Sequence, residues 1–157
     1  MQKITPCLWF DGKAEEAAEY YVSIFKNSRI TKTMRWGDVG PGPKGSVLTV
    51  QFQLEGQDFL ALNGGPQYQF TPAISLMVDC KNQAEVDALW DKLSDGGEKV
   101  QCGWLTDRFG VSWQIVPTVL LEMISDKDTK RADRVMEAMM EMKKLDFAGL
   151  QAAYEER

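Results

Sequence analysis

Residues 4–66 and 73–117 run through the same succession of hydrophobic periodicities: strand-like, helix-like, then three times strand-like. In the first pass, Ile4 to Phe10 is apolar and β-prone and stops at Asp11-Gly12. Ala14, Ala17, Ala18, Tyr21 and Phe25 then fall on one face of a helix, with Glu15, Glu16 and Glu19 towards water. Asn27-Ser28 ends it. Strands are predicted at Arg29 to Trp36, at Ser46 to Leu54, and at Gln57 to Leu62 after the Glu55-Gly56 turn. Gly37 to Gly45, with four glycines and two prolines, is a flexible connection, either a lid or a plain surface hairpin. Asn63-Gly64-Gly65-Pro66 closes the pass.

The second pass begins with a strand at Ala73 to Val78, stopped by Asp79. Asn82-Gln83-Ala84-Glu85 has the form of a capping box, and Val86, Leu89, Trp90 and Leu93 give the helix its apolar face. Gly96-Gly97 ends the helix. Three short strands follow, at Lys99 to Cys102, Trp104 to Arg108 and Val111 to Val116, with Phe109-Gly110 as the last turn. The two passes also match in letters. Leu8-Trp9-Phe10-Asp11-Gly12-Lys13 answers Leu76-Met77-Val78-Asp79-Cys80-Lys81, and Ala14-Glu15 answers Ala84-Glu85. A repeated supersecondary unit is stronger evidence than either copy alone. The chain is therefore predicted as α+β: one domain over residues 1–117, built of βαβββ units at 1–66 and 67–117, then a helical extension over 118–157. In that extension Val119 to Ile124 is short and apolar. Ala132, Val135, Met136, Met139 and Met140 form one stripe, and Phe147, Leu150 and Tyr154 another. A Met-rich stripe serves as core, as an oligomer contact, or as an adaptable binding face.

Composition narrows the chemistry. The chain contains no histidine. That removes the Ser-His-Asp triad, the Cys-His dyad and every His-ligated metal site, and leaves acid–base work to carboxylates, Lys, Tyr, Cys or water. With 18 basic and 23 acidic residues the net charge is −5, and no Lys/Arg stripe stands ready for a phosphate backbone. The cluster Lys127 to Arg134 is interleaved with Asp126, Asp128 and Asp133, a solvated helix face. No nucleic-acid partner is expected. The start, Met1-Gln2-Lys3-Ile4-Thr5-Pro6, lacks an export signal's apolar run, and no stretch reaches the ~18 apolar residues of a membrane span. Cys7, Cys80 and Cys102 are odd in number and lack CxxC spacing. A cytoplasmic protein with reduced thiols and no membrane partner is expected.

Several stretches resemble a known family. They are Pro6-Cys7-Leu8-Trp9-Phe10-Asp11-Gly12 with Ala14-Glu15-Glu16-Ala17, and Ala61-Leu62-Asn63-Gly64-Gly65-Pro66. Then come Ala73-Ile74-Ser75, Cys102-Gly103-Trp104-Leu105-Thr106-Asp107-Arg108-Phe109-Gly110 and Ser112-Trp113-Gln114-Ile115-Val116-Pro117. With them the chain resembles the vicinal-oxygen-chelate superfamily of glyoxalases, bleomycin-resistance proteins and dioxygenases. The nearest likeness is its PhnB-like branch, often labelled 3-demethylubiquinone-9 3-methyltransferase. The resemblance implies two half-barrel sheets facing each other, and a homodimer. In catalytic members a divalent metal is held by side chains on the first and last strands of the units, which here fall near Cys7, Ala61, Ala73 and Gln114. Two alanines and a glutamine do not make a usual metal site, so no metal and no cofactor are expected. The methyltransferase label implies a Gly-rich strand-to-helix turn. Asp11-Gly12-Lys13 has one glycine, and the Gly37 to Gly45 series leads into a strand.

What the residues offer is a binding surface. Gln114 is polar in a strand that does not need it, so it is aimed at a ligand, bonded to a neighbouring strand, or placed on an outer or dimer face. Trp9, Trp104 and Trp113 could stack on a planar or cationic ligand, or fill the core. Asn63 with Gly64 and Gly65 could offer groups to a ligand or simply turn the chain, and Ser75 could donate to a ligand or satisfy backbone. Cys7 lacks a cationic neighbour, so an inert thiol is favoured over a nucleophile. Asp107-Arg108 is read as an internal ion pair or an anion clamp. The expected function is metal-free binding of a small molecule. The alternative is a superfamily enzyme (a lyase, isomerase, dioxygenase or the labelled methyltransferase) with an unconventional site.

Overall fold

A computed structural model describes residues 2–156. The chain divides into two compact units, one ending at Phe70 and the other beginning at Thr71.

The first unit contains β1 (Cys7–Phe10), α1 (Ala14–Ile24), β2 (Arg29–Arg35), β3 (Val47–Leu54) and β4 (Gln57–Asn63). Its sheet has the order β1-β4-β3-β2, with β1 parallel to β4 and the rest antiparallel. β1 is three residues shorter than predicted. Pro6 has no N–H to pair, its carbonyl accepts Leu60 N–H at 2.9 Å, and Ile4 lies 82% exposed. Of the predicted helix face, Ala14, Ala17, Ala18 and Tyr21 are all fully buried, against β3 and β4, while Phe25 lies just past the helix as its C-cap and is half-buried. Three small residues bring α1 close to the sheet, and Tyr21, Phe52 and Phe59 stack in series with centroids 6.1 and 5.4 Å apart.

The α1 N-terminus is capped from a distance. Lys13 offers no capping side chain; instead Asn63 Oδ1 accepts Ala14 N–H at 2.9 Å, and Asn63 Nδ2 donates to the Val47 carbonyl at 3.0 Å. The Gly37–Gly45 segment is tied at its neck by Trp36 N–H to Ser46 O and Gly45 N–H to Trp36 O, 2.9 and 2.8 Å. It folds over its own Trp36. A Cβ on Gly40 or Gly42 would come within 2.2 or 2.0 Å of that indole. Glycine is needed there for close approach, not for mobility.

The second unit contains β5 (Ser75–Cys80), α2 (Gln83–Ser94), β6 (Glu98–Lys99), β7 (Trp104–Thr106), β8 (Ser112–Pro117), α3 (Leu120–Ile124), α4 (Thr129–Met140) and α5 (Phe147–Glu155). Its sheet repeats the first, in the order β5-β8-β7-β6 with β5 parallel to β8. β5 starts and ends two residues later than predicted, because it pairs with β8 from Ser75↔Ser112 to Cys80↔Pro117. Asp79 is a strand residue, not a stop. β6 falls earlier than predicted. Cys102 and Gly103 both adopt positive φ, 58° and 83°, and turn the chain instead of extending it. Asn82 Oδ1 accepts Glu85 N–H at 2.9 Å as a capping box requires, but Glu85 Oε2 returns to Lys81 N–H at 2.8 Å.

The C-terminal helices belong to this second unit. Val116, Leu120, Met123, Val135, Leu145 and Leu150 form one buried cluster, with Met139, Met142 and Tyr154 packed on it. Of the Met-rich stripe, Val135 and Met139 are core, while Met136 and Met140 are 37% and 60% exposed. The strap between α4 and α5 is bonded to the sheet. Met142 O and Lys143 O accept the amides of Cys102 and Gly103, both at 2.8 Å. Gln83 holds Leu145 O and Phe147 N–H, and Lys144 pairs with Asp87 at 2.9 Å.

Cys80 is fully buried at the end of β5. Burial, then Glu85 and Asp79, push its thiol from 9.0 up to about 12. A raised value means the folded state holds the proton more tightly. Stability is therefore full below about pH 9 and falls as pH rises towards 12. The expected result is a Tm that declines over this window in the wild type and declines less in Cys80→Ala, read by thermal melts against pH.

Candidate functional site

Strand parity sorts the residues of the second sheet. Side chains of paired positions share a face, and neighbours along a strand do not. Leu76, Val78, Cys80, Leu105, Trp113 and Ile115 lie on the face that receives α2. Ser75, Met77, Asp79, Glu98, Trp104, Thr106, Ser112 and Gln114 lie on the other face, which is open except where Ser112 is buried. Two rows cross it. Met77, Gln114 and Trp104 form the first, and Ser75, Ser112 and Thr106 the second. Gln114 Nε2 donates to Ser75 Oγ at 2.9 Å and is half-buried, as are Trp104 and Thr106. Met77 is 52% exposed. Val116, next on the same face, is covered by the C-terminal cluster, which bounds the open face at that end.

The structure thus brings together Ser75, Trp104 and Gln114 of the predicted residues. Trp113 is not with them. It is 2% exposed on the α2 side, and its Nε1 donates to Asp107 Oδ2 at 2.9 Å. Asp107 is also buried, and its Oδ1 accepts the amides of Phe109 and Val111 at 2.8 and 3.0 Å. It organises the β7–β8 turn and seats Trp113. Arg108 pairs with Asp95 at 3.0 Å. Met77, Thr106 and Ser112 are new members of the face. Their signal is register, which periodicity does not carry.

The first sheet has an open face of its own. Cys7, Trp9, Leu60, Leu62, Thr49 and Gln51 share it, opposite α1. Trp9 Nε1 donates to Gly65 O at 2.9 Å, and Tyr68 meets the ring edge-on at 5.0 Å. A Cβ on Gly64 would lie 2.4 Å from the Trp9 ring. The Asn63-Gly64-Gly65 turn is therefore shaped to wrap Trp9. Asn63 itself points to the α1 side, with both ends of its amide engaged by backbone. Cys7 is exposed, and partial burial holds its thiol above its ordinary value, which keeps it protonated and a poor nucleophile at neutral pH.

Neither face fits a divalent metal. Ala61 is fully buried beneath α1, and the open-face residue opposite Cys7 is Leu60. Ala73 lies before β5, and Gln114 and Ser75 present neutral donors bonded to each other. Among the described residues no group of three or more Cys, Asp and Glu side chains could hold a metal ion, and no helix is long and apolar enough to cross a membrane.

Two βαβββ units with four-stranded sheets and C-terminal helices are the mixed α+β architecture of the vicinal-oxygen-chelate superfamily. The chain belongs to the family described as 3-demethylubiquinone-9 3-methyltransferase, whose model matches residues 2–116. A PhnB protein from Bacillus cereus is 39% identical, with a TM-score of 0.68, over 74% of this chain and 99% of that one. A Pseudomonas aeruginosa protein shares the fold at 20% identity and TM-score 0.63, over 74% and 98% of the two chains. The fosfomycin resistance protein FosX of Listeria monocytogenes, solved with Mn(II) and sulfate, shares it at 14% and 0.52, over 73% and 92%. No curated protein matches. The family match ends inside β8, so α3, α4 and α5 lie beyond it.

Proposed function

We propose that this protein binds a small planar or cationic molecule without a metal, on a surface built around Gln114, and that it works as a cytoplasmic homodimer. The observation that carries this reading is the hydrogen-bonded Gln114–Ser75 pair, set between Trp104 and Met77 on the sheet face opposite α2. An amide and hydroxyls supply orientation, while the indole and thioether supply contact area. The carboxylates of that face, Asp79 opposite Val116 and Glu98 opposite Thr106, stand outside the Met77, Gln114 and Trp104 row, and no lysine or cysteine lies in that row, which favours binding over the alternative of catalysis. A net charge of −5 suits a cation better than an anion.

The test is a thermal-shift panel of divalent metals, chelator, S-adenosylmethionine, glutathione conjugates, quinones and cationic aromatics, run at several protein concentrations. A ligand of the folded state raises Tm by an amount that grows with the logarithm of its concentration above Kd. The expected result is a saturable rise with an aromatic compound, lost in Gln114→Ala, and no response to metals or chelator. A Tm that rises with protein concentration is expected from the homodimer. Stabilisation by a metal, or turnover of any panel compound, would put the enzyme reading first.

A further inference from the structure

The chain has three asparagines, and only Asn63 is followed by glycine. Asparagine is a thermolabile residue. A glycine after it removes the last steric shield, because a residue without Cβ lets its own backbone nitrogen reach the asparagine Cγ. The fold demands both halves of this labile pair. Gly64 cannot carry a side chain, since a Cβ there would lie 2.4 Å from Cε2 and Cζ2 of Trp9. Position 63 needs a side chain that both accepts and donates. Its Oδ1 takes the Ala14 N–H at 2.9 Å, and its Nδ2 gives to the Val47 carbonyl at 3.0 Å.

The same contacts keep the pair from reacting. Gly64 N–H donates to Phe10 O at 3.0 Å, at the end of the β1–β4 ladder where Phe10 stands opposite Asn63. The nitrogen that would attack is therefore turned towards β1 and keeps its proton. The carboxamide that would be attacked is held at both ends, by α1 and by the start of β3. Trp9 Nε1 closes the turn further on, at Gly65 O. Ring closure requires three hydrogen bonds to break together, two at the side chain and one at the nitrogen. They tie β4 to β1, β3 and α1, so breaking them is an opening of the first unit and not a side-chain flip.

We propose that Asn63–Gly64 is a site of spontaneous deamidation gated by opening of the first unit. In an opened molecule Gly64 N attacks Asn63 Cγ. The new N–Cγ bond closes a succinimide ring, the Cγ–Nδ2 bond breaks, and ammonia leaves with the proton that Gly64 N gives up. Water then opens the ring at either carbonyl and leaves aspartate or isoaspartate at position 63. Nothing is oxidised or reduced. Neither product restores the original contacts. A carboxylate still accepts from Ala14 but has no N–H for Val47 O, and isoaspartate also adds a methylene to the backbone at the strand end. The change is one-way, and it marks each copy whose first unit has been open.

The test incubates full-length protein at mildly alkaline pH, in buffer and in urea. Asn63 is the only asparagine between Lys44 and Lys81, so the mass of the tryptic peptide between them follows the reaction. In urea, Asn63 is expected to convert at least about tenfold faster than Asn27 or Asn82, which precede serine and glutamine. In buffer it should convert about a hundredfold more slowly than in urea, the combined weight of the bonds that must open. Phe59→Leu thins the Tyr21–Phe52–Phe59 stack without touching the pair and should speed the reaction in buffer severalfold. Urea below the unfolding transition should do the same to the wild type, whether or not that variant folds. Leu145→Ala, in the second unit, should leave the rate in buffer unchanged. Asn63→Asp should lower Tm. Conversion in urea no faster than at Asn27 and Asn82 would overturn the site. Equal rates in buffer and urea would overturn the gate, and equal acceleration by Phe59→Leu and Leu145→Ala would overturn its assignment to the first unit. A wild-type Tm in Asn63→Asp would overturn the claim that the aspartate product cannot restore the contacts.

Discussion

Asp107→Ala should destabilise the protein by about 4 kcal/mol, measured by urea unfolding at neutral pH. The carboxylate is 2% exposed and accepts three hydrogen bonds, from Phe109 N–H, Val111 N–H and Trp113 Nε1–H. Each buried donor left without a partner costs about 1–3 kcal/mol, and Val111 and Trp113 are both too enclosed for water to substitute freely. Asp107→Asn is the sharper variant. It keeps one acceptor oxygen for the turn amides but sets an NH₂ against either them or the Trp113 N–H, so about half the loss is expected. Equal stability of Asn and wild type would show that the turn, and not the buried acceptor, is what matters. The effect reaches the candidate site, because Trp113 precedes Gln114 on the same strand. A loosened Trp113 should weaken ligand response even under conditions where the fold survives.

Leu145→Ala is the second large effect, about 3–4 kcal/mol, within the range for buried leucine truncations. Leu145 is fully buried in the C-terminal cluster and fills the space above Gly103, where a Cβ would come within 2.8 Å of its side chain. The strap it sits in is otherwise held by Met142 against the same cluster and by polar contacts. Removing this one anchor should therefore raise hydrogen exchange at Cys102 and Gly103, whose amides are bonded to Met142 O and Lys143 O. A loss below about 1 kcal/mol with unchanged exchange at those amides would show that the strap docks through its polar bonds alone.

The repeat order, both sheet-covering helices and their buried faces were legible because period 3.6 and period 2 differ plainly over ten or more residues. The Ala14, Ala17, Ala18, Tyr21 face and the Val86, Leu89, Trp90, Leu93 face are buried as read. Strand ends were legible only to within a few residues. Where β5 stops is decided by its partner β8, not by Asp79. The site was harder. Trp113 and Gln114 are adjacent in a strand, so they could not have shared a face, and parity alone separates them. That Trp104 stands beside Gln114 while Trp9 is wrapped by its own glycine turn depends on register and on loop closure, which local patterns do not encode. The adjacency of Asp107 and Arg108 does not carry the bonds that Asp107 makes to Phe109, Val111 and Trp113. A side chain just before a tight turn more readily bonds the turn's own amides.

Asn63 and Asn82 do the same job by unlike routes. Asn82 satisfies an amide three residues away, so α2 carries its own start within its sequence. The amide of Ala14 is satisfied by Asn63, 49 residues further on. In a chain made from its N-terminus, α1 leaves the ribosome long before its cap is synthesised, and until β4 arrives its first amide has no side-chain cap. The earlier repeat must close its longest loop before its helix is secure, whereas the later one can begin locally. Two copies of one architecture thus secure the starts of their helices differently: the first by a distant strand, the second within its own sequence.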